Sequence, residues 1–300
     1  MKQKTCIIIC GPTASGKTDI AIQLAQYFNT QIISADSRQC FKELNIAVEK
    51  PSMQQLLAVQ HYFINSHSIQ QNFTAADYEK YALAAADEIF TKNNIAIVCG
   101  GTGLYLKAFC DGLDDIPKID ESIKIEIIEK YNLHGLAWLQ AQIKVEDELY
   151  FVQGEIQNPQ RIMRALEVVR GTGKSIVHHQ QKIKKERYFN IIKIGVEIER
   201  ELLYNRINVR VDNMIDAGLE MEAKFLLPHK ILNALQTVGY REMFEYFEGN
   251  LTKQKAFNLI KQNTRHYAKR QVTWFKKDAE IIWLTNNNIL EYCKNEIIKT

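Results

Sequence analysis

The segment Gly11-Pro12-Thr13-Ala14-Ser15-Gly16-Lys17-Thr18 constrains this 300-residue chain more than any other. It matches G-x-x-x-x-G-K-[ST] and stands between an apolar run, Thr5 to Cys10, and an amphipathic stretch, Thr18 to Phe28. A buried strand, a glycine-rich turn and a helix in that order begin a parallel α/β sheet, with backbone N–H groups and the helix N-terminus facing phosphate oxygens. Residues Gly11, Pro12, Thr13, Ala14, Ser15, Gly16, Lys17 and Thr18 are therefore the expected nucleotide-binding or diphosphate-binding cradle. Lys17 brings a fixed positive charge and Thr18 a hydroxyl for Mg2+. Nothing in that chemistry says whether the phosphate belongs to ATP.

The rest of the chain extends the α/β pattern. Gln31 to Ser34 reads as a second strand. FTAADYEKYALAAADEIF reads as a helix whose Thr74 and Asp77 have capping-box spacing. Ile95 to Cys99 is a third strand and ends in GGTG. After Gly112 the periodicity becomes helical, with no convincing strand to about Lys185. Within this stretch Asn158 caps a helix opened by Pro159, and Gly171 is the expected stop. Tyr188 to Ile198 returns to the sheet, and Glu280 to Leu284 is a plausible last strand. The expected fold is α/β, a P-loop NTPase-like parallel sheet core with an inserted all-helical domain. Its parts are 1–111, 112–189 and 190–300.

Composition excludes little. At 46% hydrophobic and 24% charged residues the chain is ordinary for a soluble globular protein. Its apolar runs fall far short of the ~18 residues of a membrane span, and its start lacks a secretory core, so a cytoplasmic protein with no membrane partner is expected. Six cysteines without a C-x-x-C pair suggest neither zinc nor a disulfide framework. A net charge of +3 is too mild to argue for nucleic acid. Its distribution says more, because RHYAKRQVTWFKK, Arg265 to Lys277, interleaves basic and aromatic residues as an RNA-facing surface does. A solvated helix face is the plain alternative.

Two other glycine segments carry less. GTGKS, Gly171 to Ser175, lacks the earlier glycine and follows a helix, so it reads as a helix stop. GGTG, Gly100 to Gly103, lacks the third glycine of a dinucleotide fingerprint. Every loop that leaves a strand's carboxyl end lies along one edge of an open parallel sheet, and ligands bind there. The phosphate loop, ADSRQ (Ala35 to Gln39) and GGTG should therefore bring Lys17, Thr18, Asp36, Ser37, Gln39 and Thr102 to one cleft. Asp36 fits a helix cap, a magnesium ligand or a general base; Thr102 fits a turn residue or a hydroxyl donor. On these grounds two chemistries stay open, a small kinase and a transferase that releases diphosphate.

The sequence resembles the bacterial tRNA dimethylallyltransferases, also called tRNA isopentenyltransferases. GPTASGKT, SADSRQ, EKPS, FTAADY, GGTGLYLKA, NPQRIMRALEV, VGYREM and TRHYAKRQVTWF occur in the family's order and cover nearly the whole chain. The resemblance implies transfer of a dimethylallyl group from dimethylallyl diphosphate to the exocyclic amine of the adenosine 3′ of the anticodon, tRNA position 37. Mg2+ would assist. It implies Asp36 as the base, Thr102 against that adenosine or the diphosphate, and Lys17 on the leaving group. It also implies tRNA contacts from Ser37, Arg38, Gln39, Lys124, Gln160, Arg161, Ile162, Met163, Arg164, Gly239, Tyr240 and Arg241. Arg161, Arg164, Arg265, Lys269 and Arg270 are the expected phosphate contacts, with insertion and basic segment gripping opposite sides of the anticodon stem-loop. For Trp274 and Phe275 core packing is favoured over base stacking.

The chain departs from the family in reading NIAVEKP (Asn45 to Pro51) for D-I-G-T-A-K-P and QCF (Gln39 to Phe41) for Q-V-Y. These changes leave the catalytic set intact and fall on loop contacts around the anticodon. A monomer is expected. The alternatives are a P-loop kinase of a nucleoside or metabolite and a nucleotide-switched RNA-binding protein.

Overall fold

The structure is a computed structural model that describes residues 3–180 and 183–299. Its elements are β1 (Thr5–Cys10), α1 (Lys17–Tyr27), β2 (Ile32–Ser34), α2 (Met53–Ala58), β3 (His61–Tyr62), α3 (Ala75–Phe90), β4 (Ile95–Gly100) and α4 (Gly103–Asp111). Then come α5 (Glu121–Glu146), α6 (Glu148–Gln153), α7 (Pro159–Thr172), α8 (Ile176–His179), β5 (Asn190–Val196), α9 (Arg200–Asp216) and α10 (Leu219–Leu226). The chain closes with α11 (Tyr240–Phe247), α12 (Lys253–Phe275), β6 (Ile282–Leu284) and α13 (Asn286–Lys299). Met1–Cys110 and Glu186–Thr300 form one compact unit; Asp111–Lys185 forms another.

The first unit is built on a six-stranded sheet of order β3-β2-β4-β1-β5-β6, every pairing parallel. β1 and β4 are buried along their whole length, which is why they read as continuous apolar runs rather than alternating ones. Their side chains still alternate between two cores. Cys6, Ile8 and Cys10 face the core shared with α3, α4 and α10 to α12; Ile7 and Ile9 face α1 and α13. On α3, Asp77 N–H donates to Thr74 Oγ1 at 3.2 Å and Thr74 N–H to Asp77 Oδ2 at 3.0 Å, the reciprocal cap that the spacing suggests.

β3 and α2 escape the sequence pattern. β3 has two half-buried residues, too few for periodicity to register. α2 opens with a second reciprocal cap, Ser52 with Gln55, but buries no side chain. The outer strands are also shorter than expected. β5 starts at Asn190 because Tyr188 turns its hydroxyl to Asp87, while Arg187 donates to the carbonyls of Ala108 and Phe109 and to Glu79. These bonds return the chain to the first unit by Glu186, ahead of the expected 190. β6 starts at Ile282, and Glu280 instead accepts a hydrogen bond from Lys193 Nζ.

The second unit is helical and has its own core of Ile127, Leu139, Ile143, Tyr150, Ile162, Met163 and Leu166. α5 breaks into two helical segments at Gly135, whose φ of 71° and ψ of −163° lie outside helical space. Asn158 caps α7 through the Arg161 N–H, and Pro159 stands in its first turn. The stop falls at Gly173 rather than Gly171: Gly173 takes the left-handed conformation with φ 70°, while Gly171 remains helical and packs on Ile119. Ser175 then caps α8, so GTGKS is two helix ends in succession.

One close approach holds the sheet's functional edge. A Cβ on Gly100 would stand 2.2 Å from the Ala35 carbonyl oxygen, and Ala35 N–H already donates to the Cys99 carbonyl at 2.7 Å. Neither partner is a side chain that could turn away. Gly100→Ala should therefore lower unfolding free energy by about 3 kcal/mol or more, read as a fall in the urea midpoint.

Candidate active site

Three loops meet at the carboxyl edge of the sheet. The phosphate loop leaves β1 with left-handed backbone at Ala14 (φ 63°) and Gly16 (φ 89°), which turns successive N–H groups inward. The second loop is tied to the third: Thr102 N–H donates to the Ala35 carbonyl at 3.1 Å and Ser37 N–H to Thr102 Oγ1 at 3.0 Å. The third is tied to the first by Gln271 of α12, which is buried. Its Oε1 accepts the Thr13 N–H at 2.8 Å and its Nε2 donates to the Gly101 carbonyl at 2.9 Å.

The resulting cleft has a volume of about 840 Å3 and is lined by Thr13, Lys17, Thr18, Asp36, Ser37, Arg38 and Gln39 among others. Thr102, next to the lining residues Gly100 and Gly101, is half-buried, and its hydroxyl oxygen accepts the Ser37 amide. Asp36 Oδ1 accepts the N–H groups of Arg38 at 2.8 Å and Gln39 at 3.2 Å. The carboxylate thus caps its own turn with one oxygen, and Oδ2 has no hydrogen bond among the described residues. Gln39 Nε2 donates to the carbonyls of Val48 and Glu49, so its amide holds the 45–51 loop against the cleft.

The cleft is cationic. Lys17, Arg38, Lys50, Arg206, Arg210, Arg241 and Arg270 line it, against Asp19, Asp36 and Glu49. Lys17 Nζ donates to the Pro12 carbonyl at 2.5 Å, folded back on its own loop. Burial lowers its pKa from 10.5, and Arg210 adds to the lowering, while Cys99, Asp36 and Cys10 oppose it. Arg210 of α9 donates from Nη1 to Thr13 Oγ1 at 2.6 Å and pairs with Glu49. Burial lowers its pKa too, and its Nε is buried without a hydrogen bond among the described residues. In the phosphate loop itself, Ser15 Oγ is buried with no hydrogen bond among the described residues. Tyr267 reaches the cleft from α12, and burial pushes its phenol up to about 12.

Several expected contacts lie elsewhere. Ile162 and Met163 are buried in the helical unit's core, on the inward stripe of α7. Tyr240 is wholly buried with its hydroxyl on Glu222, while Gly239 and Arg241 on either side of it line the cleft. Gln160 is exposed; Arg161 pairs with Glu155, Arg164 with Glu167, and Lys124 with Glu121. Of the three basic residues expected from that segment, Arg270 lines the cleft, while Arg265 donates to Asn208 and Lys269 is exposed. Phe275 joins the core; Trp274 is 39% exposed and lies against Gly103.

Arg206, Arg210 and Gln271 were absent from the expected set. The sequence does carry a signal for the first two. Arginines four residues apart in RINVR share one face of a helix, and one of them faces a phosphate loop only because of where α9 packs.

The IPP transferase family model matches residues 39–278. The tRNA dimethylallyltransferase of Christiangramia forsetii is 45% identical over 295 residues, covering 97% of this chain and 98% of that protein. The corresponding protein of Cytophaga hutchinsonii is 43% identical over 288 residues, 96% of this chain and 95% of its own. Among solved structures, the tRNA isopentenylpyrophosphate transferase of Bacillus halodurans superposes with a TM-score of 0.72 at 31% identity, covering 99% of this chain and 98% of that one. A eukaryotic dimethylallyltransferase captured acting on tRNA superposes at 0.77 with 26% identity, covering 94% of this chain and 74% of that one.

The lowered pKa of Lys17 has a measurable sign. Its charge is lost as pH rises through a value below 10.5. Binding of inorganic diphosphate should weaken as pH rises from neutral toward 10.5, earlier than an unperturbed lysine would lose its charge, and Lys17→Arg should move that loss to higher pH. Calorimetric titration across this range checks both.

Proposed function

This chain belongs to the IPP transferase family, and from that premise we propose which of its groups carry the transfer of a dimethylallyl group to tRNA. Family membership favours this reaction over phosphorylation of a small nucleoside. The donor is dimethylallyl diphosphate and the acceptor is the exocyclic amine of the adenosine at tRNA position 37. The amine nitrogen bonds to the allylic carbon as the carbon–oxygen bond to diphosphate breaks. The amine proton passes to Asp36 and the electron pair leaves with the diphosphate. One observation supports this reading above the others: an Asp36 carboxylate with one oxygen committed to its turn and the other unbonded stands in the same cleft as Lys17 and Thr18.

The division of labour follows from charge. An exocyclic amine is a weak nucleophile, so a carboxylate within reach of its proton assists bond formation. Negative charge grows on the departing diphosphate, and Lys17, Arg210 and the phosphate-loop amides stabilise it there. The same logic governs phosphoryl transfer, although here carbon–oxygen cleavage replaces phosphorus–oxygen cleavage. The donor set offered to a metal is oxygen only: the Thr18 hydroxyl, with no hydrogen bond among the described residues, and the carboxylates of Asp19 and Asp36. No cluster of three or more His, Cys, Asp or Glu residues stands ready among the described residues. Such a site suits Mg2+, which keeps water and takes phosphate oxygens as ligands. Bound at Thr18, Mg2+ would neutralise charge on the leaving group.

The acceptor adenosine has to leave its stack to enter the cleft, at a cost of about a few kcal/mol. Arg38, Arg241 and Arg270 in the lining are the phosphate and base contacts proposed near it, with Gln160, Arg161 and Arg164 on the helical unit as further tRNA contacts. A monomer is the proposed working unit. No described helix is long and apolar enough to cross a membrane. A tRNA substrate favours a cytoplasmic location.

Incubation with labelled dimethylallyl diphosphate, Mg2+ and unmodified tRNA should place label in the tRNA with release of diphosphate. Unlabelled tRNA accompanied by ATP turnover would return the chain to the kinase alternative. Asp36→Asn keeps an oxygen for the Arg38 and Gln39 amides but removes the base. It should lower kcat by about 10²- to 10⁴-fold while tRNA affinity and Tm stay near the parent values. Parallel losses of kcat and tRNA affinity would make Asp36 a binding residue.

A further inference from the structure

The 45–51 loop places a negative charge where the proposed diphosphate would bind. Glu222 accepts the N–H groups of Ile46 at 2.8 Å and Ala47 at 3.1 Å, which fixes the start of the loop. Lys50 Nζ donates to the Phe41 carbonyl at 2.6 Å, which fixes its end. Between them Glu49 takes the left-handed conformation with φ 46°, a region that glycine favours and glutamate seldom occupies. Its N–H donates to the Ile46 carbonyl at 3.1 Å and its carbonyl accepts from Gln39 Nε2 at 2.9 Å. The backbone is thereby held so that the Glu49 carboxylate meets Arg210 inside the cleft.

Arg210 already belongs to the phosphate loop through its bond to Thr13 Oγ1. A desolvated guanidinium requires an anion or a full set of acceptors, and its Nε has no hydrogen bond among the described residues. Glu49 meets that requirement in the free protein. A diphosphate on the same guanidinium would lie against the Glu49 carboxylate, and two anions sharing one cation in a half-dry cleft repel. The Glu49 side chain is 51% exposed and can turn to water, whereas Arg210 is held by the loop.

We propose that Glu49 is an internal counterion of Arg210 that the donor's diphosphate displaces, so that Glu49 sets the affinity for the donor by exchange of one anion for another. The inference rests on the diphosphate reading of the cleft. It makes Glu49 a determinant of donor affinity and not a catalytic residue, because displaced it touches no reacting atom.

Calorimetry with inorganic diphosphate and Mg2+ tests this on the full chain. Glu49→Gln, of nearly equal size, should tighten binding by about tenfold and lower KM for dimethylallyl diphosphate with a smaller change in kcat. Glu49→Asp, which keeps the charge, should stay nearer the parent and guards against an effect of altered packing. In the Arg210→Gln background the further change Glu49→Gln should do nothing, because the cation it masks is gone. Unchanged or weaker diphosphate binding by Glu49→Gln, or the same gain with and without Arg210, overturns the proposal. A parent protein that binds Mg2+·ATP but not diphosphate overturns the diphosphate reading itself, and the inference with it.

Discussion

The buried amide of Gln271 is the interaction on which the site depends. Among the described residues it is the one side chain that bonds a donor of the phosphate loop and an acceptor of the GGTG loop at once, Thr13 N–H and the Gly101 carbonyl. A buried backbone group without a partner costs about 1–3 kcal/mol, so both loops are held to the position that α12 dictates. A Cβ on Gly101 would stand 2.2 Å from the Gln271 nitrogen, which shows how little room the arrangement leaves. The Thr102 bonds to Ala35 and Ser37 extend the tie to the loop of Asp36. Three loops distant in sequence thus share one register through side chains whose role is geometric.

Once the loops are registered, the cleft's electrostatics follow. Cationic side chains from the phosphate loop, α9, α11 and α12 face one volume, and few carboxylates oppose them. Burial is the first cause of the lowered pKa values of Lys17 and Arg210, with Arg210 adding to the effect on Lys17, and an anion bound beside them would favour their charged forms. Chemistry that ends in a departing diphosphate uses this arrangement directly, since negative charge develops where the cations already stand. Asp36 differs from the other two carboxylates of the cleft. Its turn holds it by one oxygen, while Asp19 accepts from Gln55 and Glu49 pairs with Arg210.

Local patterns were legible where a rule acts within a few residues. The phosphate loop, the Thr74 cap and the Asn158-Pro159 helix start each depend on short-range hydrogen bonds or sterics. The stop of α7 shows the limit of such rules. Gly171 and Gly173 both suit a helix end, and packing of Gly171 on Ile119 leaves the left-handed role to Gly173. Side-chain direction was less legible. Ile162, Met163 and Tyr240 lie inside motifs that the family resemblance connects with tRNA, yet each points into a core, because a short motif on an amphipathic helix spans both of its faces.

By itself the sequence determined the parallel α/β core, the cradle at Gly11 to Thr18, the helical character of the insertion and, through its ordered motifs, the family. These are properties of contiguous segments, where strand, turn and helix preferences act locally. Only the tertiary structure decided that Arg210 turns to the phosphate loop, that Gln271 joins two loops, and that Glu49 meets Arg210. Each of those pairs lies more than 150 residues apart, and no periodicity relates them. Their meeting is set by how α9 and α12 pack on a sheet whose carboxyl edge gathers distant loops into one cleft.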